Sequence, residues 1–189
     1  IDANGVFFLK VGNQDGRNSS AGTIPNGAWV HLVAVYDGNQ TGANRIKLYA
    51  NGVDVSASTF GTIPALAPSP GVALVVGGAL SDGTYNYNGQ IDEVRIWTRP
   101  LCQAEIQAQM NCELAGSESG LAAYYRFNQG FAGAPNPTVT SLTDASGNAR
   151  NGTLTNVALT GSTSNWTAPG GVTTGNSCSP YLQPEINLQ

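Results

Sequence analysis

Asp92 and Glu93 stand side by side in the run Gly89-Gln90-Ile91-Asp92-Glu93-Val94-Arg95-Ile96-Trp97. Two carboxyls roughly 5 Å apart across a sugar form the acid/nucleophile pair of a retaining glycosidase. The apolar alternation of this run reads as a β-strand, however, and adjacent strand residues point to opposite faces. Asp92 and Glu93 therefore cannot act on one substrate. Glu93 falls with Arg95 on the face read as solvent-facing, where an ion pair contributes little. Other acids, such as Asp82 and Glu118, sit singly in loops. The pattern argues against hydrolysis.

Asp92 shares its face with Val94 and Ile96 at the start of an otherwise apolar strand, and a carboxylate there needs partners. Two readings stand. It accepts backbone N–H bonds from a neighbouring turn, or it gives an oxygen ligand to a structural Ca²⁺, which draws such ligands from loops. His31 is the single histidine. It alternates with Trp29, Val33 and Val35, while Val30, Leu32, Ala34 and Tyr36 form the other face. Both faces are apolar, so the strand reads as covered on both sides and His31 as a buried structural residue. No Ser or Cys has a context that suggests activation, which leaves no nucleophilic triad.

Flat aromatic rings stack on pyranose faces. Tyr85 and Tyr87 lie in the loop Ser81 to Gly89, beside Asp82, Asn86 and Asn88. Tyr85, Tyr87, Asp82 and Asn86 are the ligand-binding candidates; a solvated turn with incidental tyrosines is the alternative. Three cysteines permit one disulfide and leave one thiol. Cys102 and Cys112 would lie about 15 Å apart along an unbroken helix, whereas a bridge needs Cα atoms within roughly 7 Å. The pair closes only if the helix stops near Gln109 or Met110 and the chain reverses at Asn111, a residue type that tolerates the left-handed conformation. Cys102–Cys112 is preferred because it needs no long-range docking. Its rival, Cys112–Cys178, would tie the tail down.

The elements that position these residues are short strands bounded by turns. They are Gly5 to Val11, Trp29 to Tyr36, Arg45 to Ala50, Val53 to Val55, Val72 to Val76, Gln90 to Trp97, Leu121 to Phe127 and a stretch near Gly152 to Leu159. Asn51-Gly52 between two apolar runs is a strong hairpin signal. Strands at this spacing without alternating helices indicate a sandwich or barrel. One short helix is expected from about Cys102 to Met110. Pro100 marks its start, Ile106 and Met110 share a face, and Cys102 with Glu105 imitates a capping box. From Thr167 onward Pro, Gly, Thr and Ser dominate, as in a linker.

Composition narrows the class. The 189 residues are 41% hydrophobic and only 11% charged, with a formal net charge of −4. The eight Lys and Arg are scattered singly, without the basic stripe that nucleic acid requires. No apolar run approaches the roughly 20 residues of a membrane span. No signal peptide opens the chain, and it reads as a piece of something longer.

The stretch from Trp29 to Phe127 resembles the LamG-like family, concanavalin A-like and pentraxin-related, in its bacterial branch. The residues that carry this are Trp29-Val30-His31-Leu32-Val33-Ala34-Val35-Tyr36-Asp37-Gly38, Lys47-Leu48-Tyr49-Ala50-Asn51-Gly52-Val53, Gly89 to Trp97, and the helix with Glu105-Ile106. The runs Gly120 to Asn128, Asp144-Ala145-Ser146-Gly147-Asn148 and Asn151-Gly152-Thr153-Leu154 resemble the extension that follows such domains in Bacteroidetes surface proteins exported by the type IX system. The end, Pro184 to Gln189, looks like the entry to a following domain.

The resemblance implies an all-β antiparallel jelly-roll sandwich with one short helix. Its domain would run over 1–166, with 121–166 as a closing extension and 167–189 as a linker. Strands that family members carry before the equivalent of Gly5 are missing. Such domains often hold Ca²⁺ and often lack it. The four Asn-x-Ser/Thr patterns, at Asn18, Asn39, Asn151 and Asn165, carry no weight in a bacterial protein. The implied function is a non-catalytic binding or adhesion module of a large secreted or cell-surface protein, recognising a glycan or a surface protein beside its neighbouring domains. Alternatives are a structural spacer in an adhesin and an accessory domain of a secreted hydrolase. In the expected core, Trp29, Val33, Val35, Val94 and Ile96 face inward.

Overall fold

The computed structural model describes residues 1–12, 15–68, 71, 73–78, 87–161, 165–167, 172 and 178. The chain gathers into two compact units, Ile1–Asp92 and Glu93–Gln189.

The first unit holds β1 (Phe8–Val11), β2 (Asp15–Asn18), β3 (Leu32–Tyr36), β4 (Ile46–Ala50), β5 (Val53–Asp54) and β6 (Ser58–Phe60). They form two three-stranded antiparallel sheets, ordered β1-β2-β6 and β3-β4-β5. Between β4 and β5, Asn51 (φ 47°) and Gly52 (φ 74°) both take positive φ, which makes the two-residue turn whose twist matches its strands. Asn51 also fastens the entry to β3. Its N–H donates to the His31 carbonyl at 2.8 Å, and its Oδ1 accepts the His31 N–H at 2.9 Å.

Val11 from one sheet and Ile46 and Leu48 from the other form a buried cluster with Ile63, and Phe7, Leu9, Tyr36 and Val55 pack against it. The two sheets thereby share one apolar core, the layered arrangement of a sandwich. One strand has no apolar signature. β2, with the sequence DGRN, sits centrally in its sheet. A Cβ at Gly16 there would strike the Phe60 ring at 2.6 Å, so the strand fits only because this side chain is absent.

The expected core needs correction. Trp29 precedes β3 and is 41% exposed, while Val33, Val35, Val94 and Ile96 are half-buried. Tyr36 pairs with Ile46 and is the residue of β3 that packs on the buried cluster, while Ala34 is exposed. The strand expected over Val72 to Val76 does not form across Ala73–Val76, and Leu74 is exposed.

The second unit holds β7 (Val94–Trp97), α1 (Gln103–Gln109), β8 (Leu121–Tyr125), β9 (Ser141–Leu142) and β10 (Gly152–Thr153). The helix keeps its expected limits, with Cys102 as N-cap and Met110 as C-cap. Glu105 accepts the Cys102 N–H at 2.9 Å and pairs with Arg99 at 2.8 Å. Ile106 anchors the helix, at 1% exposure. The Leu121 strand pairs antiparallel with β7, with Arg95 opposite Tyr124 and Ile96 opposite Ala123.

The other edge of β8 is closed by the loop Asp144 to Arg150. Asp144 Oδ1 accepts the Tyr124 N–H at 2.9 Å, and the Ala145 N–H returns to the Tyr124 carbonyl at 2.8 Å. Asn148 Nδ2 donates to the carbonyls of Leu121 and Ala122, and Arg150 donates to that of Ala122. Backbone groups on this side of β8 that a neighbouring strand would satisfy are met by the loop, largely through its side chains. The architecture is antiparallel all-β with a single short helix.

Candidate functional site

The most tightly built side-chain cluster of the second unit centres on Tyr124, which is fully buried. Glu93 and Arg95 form an ion pair at 2.6 Å whose side chains are only 9% and 8% exposed. The expectation that this pair faces solvent is therefore corrected. Arg95 stands opposite Tyr124 in the ladder, and directly opposed residues share a face. Tyr124 donates its phenolic proton to Glu93 Oε2 at 2.6 Å and accepts the Leu114 N–H at 3.2 Å. Arg95 also donates to the carbonyls of Gln109 and Cys112. Arg126 donates to Leu114 O at 2.6 Å, and both guanidiniums lie over the Tyr124 ring, at 5.5 and 5.1 Å.

This chemistry holds structure together. A buried ion pair is sustained by further hydrogen bonds to its charges, and here the carbonyls and the phenol supply them. Burial, then the bond to Glu93, pushes the Tyr124 phenol up to about 12. Tyr124 thus keeps its proton at neutral pH, and Glu93 is held by a cation and a donor.

Other carboxylates among the described residues are bonded as well. Desolvation opposes ionisation of Asp144, but bonds from Ser146, Arg150 and Tyr124 outweigh it and hold the carboxyl at about 2. Asp15 accepts the Thr62 N–H, and Asp2 accepts those of Asn4 and Val6. Glu118 accepts the N–H groups of Ala115 and Gly116. Asp54 pairs with Lys47 at 3.0 Å. Glu113 accepts from Asn128 at 2.6 Å. Arginines work in the same way. Arg17 donates to Ala43 O and Ile46 O, Arg45 to Ile63 O, and Arg99 to Ser119 O.

Of the residues read as ligand-binding, Asp82, Tyr85 and Asn86 lie outside the described residues. Tyr87 is described and is 50% exposed. Its N–H donates to the Gly77 carbonyl at 2.9 Å. Its ring lies against Gly89, where a Cβ would approach ring atoms to 2.7 Å. Glycine at position 89 therefore lets the ring lie close to the backbone with part of its surface open to solvent.

Asp92 is half-buried and has an interaction partner. The strand expected from Gln90 begins only at Val94, with Glu93 in the left-handed region at φ 54°, so Asp92 and Glu93 do not alternate across a strand as expected. Among the described residues no three His, Cys, Asp or Glu side chains gather to hold a metal ion.

The preferred disulfide also needs correction. Cys112 bonds to Cys178, and Cys102 is an exposed free thiol. Cys102 caps the start of α1 and Cys112 follows its end, so the helix keeps the two apart. The Cys178 N–H donates to Glu113 O at 2.8 Å, and Cys178 packs against Leu114, Leu121 and Tyr124. Sequence reasoning missed the Tyr124 cluster altogether. The available signal was Glu93 and Arg95 two apart in one run, with Tyr124 and Arg126 two apart in another.

Comparisons with known proteins agree with this architecture. The family model described as the Concanavalin A-like lectin/glucanases superfamily matches residues 1–107. Mouse (Mus musculus) Pappalysin-1 is 34% identical over 87 residues, which is 44% of this chain and 5% of that protein. Human (Homo sapiens) Pappalysin-1 is 34% identical over 98 residues, 50% of this chain and 5% of that protein. The chain thus spans a small fraction of these relatives. A crystal structure from Bacteroides ovatus, described as a "putative carbohydrate binding protein", superposes with a TM-score of 0.53. It is 18% identical and covers 74% of this chain and 40% of that one, a likeness of fold. With more than half of its length matched, the chain belongs to the concanavalin A-like lectin/glucanases superfamily.

Proposed function

We propose that this chain is a non-catalytic carbohydrate-binding module of a secreted or cell-surface protein. The observation that carries this reading is the commitment of carboxylates among the described residues. Hydrolysis of a glycosidic bond needs two carboxyl groups facing each other across a substrate. Glu93, Glu105, Glu113, Glu118 and Asp144 are instead bonded to arginines, amides or a phenol within their own unit. The family and the description of the Bacteroides ovatus neighbour support carbohydrate as the ligand class.

Recognition is assigned to the loop carrying Tyr85 and Tyr87, with Asp82 and Asn86 as polar flank. An open ring such as that of Tyr87 offers a flat apolar face to the C–H side of a sugar, while amides and carboxylates bond its hydroxyls. The Cys112–Cys178 bridge supports an oxidising compartment. No helix among the described residues is long and apolar enough to cross a membrane. Glycan-array binding by the intact chain, lost in Tyr85→Ala and Tyr87→Ala, tests the assignment. Unchanged binding in both variants would remove it from this loop.

A second reading, a stiff spacer between domains, is favoured by one observation. Each of the six arginines donates to a backbone carbonyl of its own unit. Such a chain would bind no glycan at all.

A further inference from the structure

Phe131 is the most exposed aromatic among the described residues, at 75%, against 50% for Tyr87 and 41% for Trp29. The backbone that carries it is held on both sides by one buried side chain. Asn136, 2% exposed, accepts the Phe131 N–H on Oδ1 at 2.8 Å and donates through Nδ2 to the Phe131 carbonyl at 3.0 Å. The same Nδ2 reaches Ala134 O at 2.7 Å and Asn165 Oδ1 at 3.0 Å. Asn136 is in turn fixed by its own N–H to Leu159 O at 2.7 Å.

A second aromatic supports the loop. Trp166 is half-buried and tilted against Phe127, with ring centroids 6.2 Å apart. Its indole lies so close to Gly130 that a methyl group there would collide with it. The Gly133 N–H donates to the Trp166 carbonyl at 3.1 Å. Phe131 is thus displayed from a pinned loop, and a ligand that covers its ring would not have to order the backbone beneath it.

The surroundings define the ligand. The segment from Asn128 to Pro137 contains no charged residue, and the nearby arginines at 126 and 150 are bonded to carbonyls. An anionic ligand finds no cation here. The chain neighbours Gly130, Ala132 and Gly133 are small and add little apolar side-chain surface of their own to the ring. One flat ring among small residues and amides matches the apolar face of a single neutral sugar.

We propose that Phe131 is a second carbohydrate platform, in the Glu93–Gln189 unit, that stacks on one neutral pyranose of a glycan chain. It is independent of the Tyr87 loop. Affinity electrophoresis of the intact chain, in gels containing mixed-linkage β-glucan, xylan or galactomannan, tests it. At least one polysaccharide is expected to retard the wild type. Phe131→Ala should weaken that retardation about tenfold, Phe131→Trp should preserve it, and Phe131→Leu should behave like Ala because it lacks a flat face. Circular dichroism melting at the wild-type temperature shows that the variants are folded. Wild-type affinity in Phe131→Ala, equal binding by Phe131→Leu, or no retardation of the wild type by any of the three overturns the proposal. Tyr87→Ala run alongside separates the two loops. Loss at Phe131 with none at Tyr87 would refute the first assignment and leave this one standing.

Discussion

Tyr124 donates its phenolic hydrogen to Glu93 across 2.6 Å, and this bond joins the residue just before β7 to β8. Arg95, opposite Tyr124 in the ladder, neutralises the same carboxylate and carries the connection to the carbonyls of Gln109 and Cys112. The segment holding the disulfide is therefore anchored to the sheet through one phenol and one guanidinium.

Replacing Tyr124 by Phe keeps the ring under Arg95 and Arg126 but removes the donor to Glu93 and the acceptor for Leu114. Loss of about 2 kcal/mol is expected, because buried partners are left unsatisfied. The phenol sits at about 12 in the folded state against an ordinary 10. Its contribution is complete below pH 10 and is lost as pH rises through 12. Urea midpoints should fall between pH 10 and 12 in the wild type and fall less in Tyr124→Phe. Parallel curves would contradict this role.

Asp144 has the opposite sign. Its carboxyl is held at about 2, below the ordinary 3.8, once the bonds from Ser146, Arg150 and Tyr124 outweigh desolvation. Stability from this group is complete above pH 4 and is lost as pH falls through 2. Asp144→Ala should cost about 3 kcal/mol at pH 7 and flatten the acid limb of a urea-midpoint titration. An acid limb like that of the wild type would refute it.

The disulfide joins residues 66 positions apart. Chain-entropy reasoning gives about 4 kcal/mol for a loop of that length. Cys178→Ser, or reduction, should lower the unfolding free energy by that order. In the oxidised protein one thiol, Cys102, should react with a maleimide. Peptide mapping that links Cys102 to Cys112 would overturn the pairing.

These residues also mark where a sequence stops being readable. The Asn51-Gly52 hairpin and the Cys102/Glu105 helix start were legible because their determinants lie within a few residues. β2 was not, because DGRN carries no apolar alternation and its place depends on Gly16 fitting beneath Phe60. The strand was expected from Gln90 but begins at Val94, with Glu93 at a left-handed φ of 54°, and the face carrying Arg95 was misjudged as solvent-facing. That choice is made by Tyr124 on a partner strand. Cys112–Cys178 is likewise set by tertiary docking of Cys178 on Leu114 and Tyr124. In the candidate recognition loop, Tyr85 and Tyr87 were visible as residue types. The presentation of Phe131 by Asn136 was not, since it rests on side-chain hydrogen bonds that no spacing encodes.

Binding without cleavage is best tested in one tube. The intact chain is incubated with each polysaccharide of a panel, and retained protein and released reducing ends are measured together. Retention of the protein on at least one polysaccharide, weakened in Tyr87→Ala and with reducing ends at the level of a protein-free control, is the predicted result. Reducing ends that rise with protein concentration and time, or no retention on any polysaccharide, would contradict a non-catalytic carbohydrate-binding module.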